Sequence, residues 1–252
     1  MSATKPKNLP SGLSLDEAWT QLESAGWLAA RDAGKRRDLR SIAKLRTCKP
    51  GEYMYHPGDP ADGVYGLVRG TLDILIPRLD GEELLVHRAE PGFWVGDLAL
   101  FAEQQRLVGV RAATRCDLVY LPQDRLRRLV RENAGLIGDF YMLTHANMTT
   151  ALRLLGTLAV PGAEKRLALR LLLQSDATRV DDGWIHLSQE CLADFVALSQ
   201  QSVRRGLHSL QARGLLEIGY GKLRIVDREA LAAFCHYASA RDTRNTKCAS
   251  RH

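Results

Sequence analysis

SQECLADFVALSQQSVRRGLHSLQARGLLEIGYGKLRIV, residues 188–226, carries two helical patterns, a very short join and a hairpin pattern in one run. Ser188 predicts the cap of a helix reaching Val196, and Ser199 the cap of a second reaching Arg213. A serine oxygen in that position accepts from the otherwise unpaired amides of the first turn. Gly214 ends the second helix. Only Ala197-Leu198 joins the pair. Leu215–Ile218 and Lys222–Val226 flank Gly219-Tyr220-Gly221 and predict a hairpin. Helices joined so tightly and followed by a hairpin form a winged helix-turn-helix pattern.

On the second helix Val203, Leu207 and Leu210 share a face and are candidate core. The opposite face offers Gln200, Gln201, Arg204, Arg205 and His208. Arg reaches guanine and Gln reaches adenine in the major groove. Ser188, Gln189 and Ser199 stand at helix starts, where amides and hydroxyls meet phosphates. Arg213, Lys222 and Arg224 add positive charge, and from Val196 to Val226 the sole acid is Glu217. A charged face alone reads as solvated surface. With the tight pair, the hairpin and the charge bias it reads as a surface for double-stranded DNA.

Working upstream, Ala163–Gln174 predicts a helix with Leu167, Leu169, Leu171, Leu172 and Leu173 turned inward. Pro161-Gly162 stops what precedes it and marks a domain boundary. From Asp124 to Val160 the period is helical throughout, ~35 residues or ~50 Å of helix. One apolar stripe is Ile137, Tyr141, Thr144, Met148, Ala151, Leu155 and Leu158; its neighbour is Leu136, Phe140, Leu143, Asn147 and Leu154. One stripe can cover the chain's own domain. The other needs a partner, and its alternating steps of four and three suit a coiled-coil seam with a second copy. Ile137, Tyr141, Thr144, Met148, Leu155 and Leu158 are the expected homodimer interface.

From about Leu45 to Pro122 the texture is short strands between turns. Pro50-Gly51, Pro57-Gly58, Asp62-Gly63, Arg69-Gly70, Asp80-Gly81 and Pro91-Gly92 punctuate it. The runs between are Val64–Val68, Thr71–Ile76, Glu83–His87, Val108–Ala112 and Asp117–Leu121, which predict an all-β roll. Leu13 to Ala43 reads helical, opening with a capping box of Ser14 and Glu17 and an apolar face of Leu15, Ala18, Trp19, Leu22 and Trp27. Lys35, Arg36, Arg37 and Arg40 read as solvated. The fold class is α+β. Residues 1–122 hold the N-terminal helix and a double-stranded, jelly-roll-like β-roll sensor; 123–160 the long dimerisation helix; 161–240 the winged helix-turn-helix; 241–252 a polar, basic, disordered tail.

Composition sets the outer bounds. The 252 residues carry 35 Lys and Arg against 29 Asp and Glu, a formal charge of +6 that permits a polyanionic partner without requiring one. The balance of apolar and charged residues excludes wholesale disorder and collagen. No apolar run approaches the ~20 residues of a membrane-spanning helix. Met1–Pro10 carries Lys5 and Lys7 with no apolar core behind them, so no secretory signal is expected. Cys48, Cys116, Cys191, Cys235 and Cys248 are odd in number and form no C-x-x-C pair, which predicts reduced thiols and a cytoplasmic protein. Cys116 has no evident thiol partner in the sequence. His87 and His145 read as surface or hydrogen-bonded histidines rather than haem ligands, and no metal site is expected. Without a P-loop, a nucleophile elbow or H-E-x-x-H, the chain does not read as an enzyme.

A second site is expected in the β roll. In Phe93-Trp94-Val95-Gly96-Asp97-Leu98-Ala99-Leu100-Phe101 a Gly precedes an acid, and Arg106 follows. Free amides after the Gly and a forked Arg suit an anionic oxygen, and Asp97 could accept a hydroxyl proton from a sugar. By itself this is equally a capped turn.

Gly51 to Gly70 resembles the opening of a cyclic-nucleotide-binding β roll, and Gly92–Phe101 with Arg106 resembles its phosphate-binding cassette. With the long helix, the stretch around Thr157 and Glu164, and the winged helix-turn-helix, about residues 38–230 are similar to the Crp/Fnr family of bacterial transcription regulators. The resemblance implies an effector held by Gly96, Asp97, Leu98, Ala99, Arg106, Leu107, Ala151 and Leu152. It implies that this effector reorients long dimer helices and with them two DNA-binding domains on a pseudo-palindromic site. RNA polymerase is a further partner it allows. The departures are specific. Asp97 stands where cyclic-AMP-binding members have Glu, Leu107 where they have Ser, and Ala151-Leu152 where they have Thr-Ser, and the intervening loop is one residue shorter. Losing three polar contacts, at about 1 kcal/mol each, argues against cyclic AMP. A different nucleotide-like anion, no effector at all, or a regulatory module acting on a protein partner remain as readings. Before the cassette only Cys48 is available to an iron–sulfur cluster. Gln200-Gln201 replaces that subfamily's Arg-Glu, with Arg205 matching its later Arg, so a different half-site is expected.

Overall fold

The computed structural model describes residues 12–24, 26–177 and 183–237. The expected tail at 241–252, the segment Met1–Pro10 and Cys248 lie outside them. The chain divides into two compact units, 1–151 and 152–252.

The first unit opens with α1 (Leu15–Glu23). Its capping box is formed: Glu17 N donates to Ser14 Oγ at 3.2 Å and Ser14 N to Glu17 Oε2 at 2.8 Å. A 3₁₀ turn (Leu28–Ala30) and α2 (Ala33–Ile42, capped by Asp32) follow, so the helical stretch is two helices around a turn. The strands are β1 (Lys44–Cys48), β2 (Tyr53–Tyr55), β3 (Gly63–Arg69), β4 (Leu72–Pro77), β5 (Glu83–Ala89), β6 (Trp94–Val95), β7 (Gly109–Ala112) and β8 (Cys116–Pro122). A six-residue helix, α3 (Asp97–Ala102), lies between β6 and β7. The sheets run β1-β8-β3-β6 and β2-β7-β4-β5, antiparallel throughout.

Strand β3 shows how the roll is filled. Tyr65 and Leu67 enter the cluster with Leu72, Val110 and Leu118. Val64 and Val68 enter the other cluster, with Trp19, Leu22, Trp94 and Phe140. A strand buried on both faces loses its polar alternation, and β3 reads as a continuous apolar run. Gly66 is required where the Trp94 ring crosses the strand: a Cβ there would sit 2.6 Å from it.

The long helix is not continuous. It is α4 (Gln123–Glu132) and α5 (Gly135–Leu158), broken at Asn133, whose φ of −132° and ψ of 83° leave the helical region. Asn133 Nδ2 donates to Asp38 of α2 at 3.3 Å, tying the break to the N-terminal helices. The expected ~35-residue rod is thus a helix of 24 residues, about 36 Å. The boundary between the units falls inside α5, not at Pro161-Gly162.

The second unit holds the end of α5, then α6 (Ala163–Ala177), β9 (Trp184–Ile185), α7 (Gln189–Val196), α8 (Gln200–Ala212), β10 (Leu216–Gly219), β11 (Lys222–Ile225) and α9 (Arg228–Cys235). The wing is a three-stranded sheet in the order β10-β11-β9. Of the α6 leucines, Leu167, Leu171 and Leu172 are buried, while Leu169 and Leu173 are only half-buried. Arg170 is buried among them with its guanidinium 3.9 Å from the Phe195 ring centroid, and burial brings its pKa down to about 9. α9 was not expected; Asp227 caps it by accepting from Ala230 N at 2.8 Å.

Candidate nucleic-acid interface and effector cassette

Both predicted caps of the helix pair are made. Ser188 Oγ accepts from Cys191 N at 3.1 Å, and Ser199 Oγ from Ser202 N at 3.2 Å. The turn between them closes on Ala197 in the left-handed region, φ 50°, with Leu198 N donating to Ala193 O at 3.1 Å. Val203, Leu207 and Leu210 are buried as expected. So is Gly206, which the sequence did not single out. A Cβ there would lie 2.6 Å from Leu167 Cδ1, so Gly206 sets how closely α8 approaches α6.

The opposite face of α8 is presented. Ser199, Gln200, Gln201, Arg204, Arg205 and His208 are exposed, with Ser188 exposed and Gln189 half-buried at the start of α7. Arg213 is paired with Glu164 at 3.6 Å and Arg224 with Glu217. Among the described residues no ion pair holds Arg204 or Arg205. In the wing, Lys222 Nζ lies 4.4 Å from the Trp184 ring centroid and Arg224 Cζ 5.0 Å from it. Trp184, which sequence reasoning missed, therefore organises both wing cations through its ring face. Tyr220 stands fully exposed at the hairpin tip.

The cassette is arranged oppositely. Gly96 has φ 105°, and a Cβ on it would meet Gly63 O at 2.7 Å and Arg106 Nη1 at 2.8 Å. Arg106 is 3% exposed. Its Nη1 donates to Gly96 O at 2.9 Å; its Nη2 donates to Gly63 O at 2.9 Å and to Asp62 Oδ1 at 2.7 Å. Its Cζ lies 4.1 Å from the Tyr55 ring centroid, and Nε is buried without a hydrogen-bond partner. Asp62, unmarked in the sequence beyond its turn, is held in place by Tyr65 Oη on its carboxylate and by Tyr120 Oη donating to its carbonyl at 2.8 Å. Arg46 Nη1 donates to Tyr65 Oη at 2.9 Å and completes the chain.

Asp97 is buried and contacts α5 through Thr144 and Asn147. Burial pushes its carboxyl above the usual carboxylate range, and the hydrogen bonds from Thr144 and Asn147 counter only part of that. The structure thus brings Gly96, Asp97 and Arg106 together. It places the other expected effector residues differently: Ala99 is packed in the core, while Leu98, Leu107, Ala151 and Leu152 are exposed. Along the expected seam, Ile137, Tyr141, Met148 and Leu155 are exposed and Leu158 is half-buried. Thr144 departs from that set, since its hydroxyl turns to Asp97 of its own chain.

Cys116 forms no disulfide; in strand register Cys48 on β1 lies directly opposite it on β8. Both thiols are free and buried, and burial pushes each up to about 11. His87 is buried against Phe93, with ring centroids 5.7 Å apart, and His145 is exposed. Among the described residues no three His, Cys, Asp or Glu side chains are grouped to hold a metal, and no helix is long and apolar enough to cross a membrane.

Residues 45–133 match the family described as the cyclic nucleotide-binding domain, and residues 165–234 that described as the Crp-like helix-turn-helix domain. The cAMP-activated global transcriptional regulator CRP of Escherichia coli O157:H7 is 30% identical over 182 residues, 69% of this chain and 84% of that protein. The HTH-type transcriptional regulator Cmr of Mycobacterium tuberculosis is 25% identical over 224 residues, 84% of this chain and 88% of Cmr. The c-di-GMP-responsive global regulator CLP of Xanthomonas campestris superposes with a TM-score of 0.63 at 25% identity, covering 78% of this chain and 100% of that one. FixK2 of Bradyrhizobium japonicum shares the fold, with a TM-score of 0.70 at 21% identity over 79% of this chain and 99% of its own.

Proposed function

The chain belongs to the Crp/Fnr family of transcription regulators, and from that premise we propose that it works as a homodimer, reading a pseudo-palindromic DNA site with two copies of α8. The observation that carries this reading is the exposed face of Gln200, Gln201, Arg204 and Arg205, whose counter-face is core. A two-fold pair presents that face twice, and the half-site spacing then follows from the dimer. Ile137, Tyr141, Met148 and Leu155 of α5 supply an exposed apolar stripe for the mate. The protein acts in the cytoplasm, with RNA polymerase as a further contact.

The effector, on this reading, is an anion that takes the place of the Asp62 carboxylate on Arg106. Cyclic AMP activates the Escherichia coli relative and c-di-GMP acts on the Xanthomonas one, but Leu107, Ala151 and Leu152 offer no polar side chain to cyclic AMP here. An effector shifts the regulator only as far as it prefers one state.

Selection of DNA sites from a random pool by the purified chain tests the proposal, together with its mass in solution. The expected result is an enriched inverted repeat bound by a dimer, with a half-site unlike that of the cyclic-AMP subfamily. A monomer, or a pool without enrichment, would overturn it.

A further inference from the structure

Asp97 is 2% exposed and opens α3, facing α5 within the first unit. Its Oδ1 accepts from Asn147 Nδ2 at 3.2 Å, and Oδ2 contacts Thr144 Oγ1. Asn147 Nδ2 also donates to Trp94 O at 3.1 Å, which uses both amide hydrogens. Thr144 Oγ1 in turn lies 3.1 Å from Phe140 O. Thr144 has one proton and two acceptors in reach. Spent on an ionised Asp97, it leaves the Phe140 carbonyl facing a bare oxygen. Spent on Phe140, it leaves Thr144 lone pairs against a carboxylate. With a proton on Oδ2, Asp97 donates to Thr144, Thr144 donates to Phe140 O, and Asn147 donates to Oδ1 and to Trp94 O. Against this, the backbone amides of Asp97 and Leu98 also reach the carboxyl and favour its anion. Burial outweighs these donors and raises the carboxyl, and the charged and titratable side chains around it do not offset a negative charge. Tyr55 of β2 faces Asp97 and has no charge to lend, while Arg106 spends its hydrogen bonds on Asp62, Gly63 and Gly96.

We infer that Asp97 is an internal strut, fastening the cassette helix to α5 through Thr144 and Asn147, and that the effector of this chain is an anion recognised without a ribose hydroxyl on that acid. Asp97 is thus a positioning residue. Both of its oxygens are already engaged, and the fastening is complete without a ligand. The ligand half of the inference rests on reading Arg106 as the anion site.

Melting temperatures of the full chain test it, for wild type, Asp97→Asn, Asp97→Ala, Thr144→Val, Asp97→Glu and the double variant Asp97→Ala/Thr144→Val. An Asn amide donates to Thr144 while its oxygen accepts from Asn147, so Asp97→Asn keeps Tm within about 2 °C at pH 5. Asp97→Ala and Thr144→Val each lower it by roughly 3–8 °C, on a scale of ~2–4 °C per kcal/mol for a chain of this size. The double variant loses no more than the worse single one, as residues in one network do. The pH sign follows from the raised carboxyl. Its contribution is complete below the ordinary carboxylate range and fades as pH climbs through the folded value. The gap between wild type and Asp97→Ala therefore narrows from pH 5 to pH 8. An Asp97→Asn variant as damaged as Asp97→Ala, an additive double variant, or a widening gap overturns the strut.

The probes for the ligand are cyclic AMP and 2′-deoxy cyclic AMP at 1 mM (on the order of 1,000-fold above a micromolar Kd, enough for a clear shift). Wild type responds equally, or not at all, to the pair, and Asp97→Glu gains no response while melting lower. A larger rise with the ribose form overturns the inference. The cycle is read on stability alone. A chain that selected no DNA site would fail the proposed function, while the strut stood or fell on these temperatures.

Discussion

The reader helix α8 and the cassette around α3 use polar side chains in opposite ways. On α8 they are exposed, and Arg204 and Arg205 have no ion-pair partner among the described residues. In the cassette Arg106 and Asp97 are buried, the one bound to Asp62, Gly63 and Gly96, the other to Thr144 and Asn147. A surface that meets DNA gains by leaving donors to water until phosphates and bases replace it. A buried charge without a partner is costly, so the cassette pairs its charged groups internally, with Arg106 Nε left over. Substitutions on α8 should consequently alter binding and spare stability, whereas those in the cassette should alter stability first.

The sharpest test of the cassette half is Gly96→Ala. The residue sits at φ 105°, and its Cβ would meet the Gly63 carbonyl at 2.7 Å. Strain of this kind costs about 1–3 kcal/mol, and displacing Arg106 adds to it. Tm should fall by roughly 5–10 °C in calorimetry. A wild-type Tm would mean that the turn relaxes and the cassette is not a fixed frame.

On α8 the expected effect is of similar size but in another observable. Gln201→Ala and Arg205→Ala should each weaken binding to the selected site by about 1–3 kcal/mol and relax base preference. Tm should stay within about 1 °C, since both side chains are exposed. Unchanged affinity on the selected site, measured by fluorescence anisotropy, would remove α8 as the reader.

How legible each region was in the sequence follows the same division. Helix pair, caps and wing were readable because each depends on local chemistry: Ser199 caps its own helix, and Val203, Leu207 and Leu210 repeat at helical spacing. β1 and β2 went unseen because Lys44–Cys48 and Tyr53–Tyr55 are short and carry little alternation. The break at Asn133 was hidden because the apolar period resumes on its far side. The cassette's Gly96, Asp97 and Arg106 were found, but their partners were not. Asp62 reaches Arg106 across 44 residues and Thr144 reaches Asp97 across 47, and pairing over such spans leaves no local mark. The register of Cys48 against Cys116 is of the same kind.

Arg106→Ala separates the two sides of the comparison again, with a smaller effect on the free protein. Asp62 is near half-exposed and can be rehydrated, so its loss of a partner is mild beside the strain at Gly96. The expected result is a Tm lower by a few degrees, roughly 1–2 kcal/mol, and no response to any anionic effector. A surviving response would place the anion elsewhere or make the effector uncharged.

The mildest contrast concerns the thiols. Cys48 and Cys116 are buried with values pushed up to about 11, whereas Cys191 at the start of α7 is half-buried. Only thiolate reacts with an alkylating reagent, and burial limits both its formation and the approach of the reagent. At pH 7.5 a thiol of that acidity is about 0.03% ionised, which follows from the 3.5-unit gap. Timed iodoacetamide labelling, read by peptide mass, should therefore modify Cys191 on the order of 100-fold faster than either β-roll cysteine. Equal rates would show that the end of the β1–β8 ladder opens readily. The interior of the cassette unit would then be less closed than its hydrogen bonding implies, and the contrast with α8 would narrow to the side chains of Arg106 and Asp97 alone.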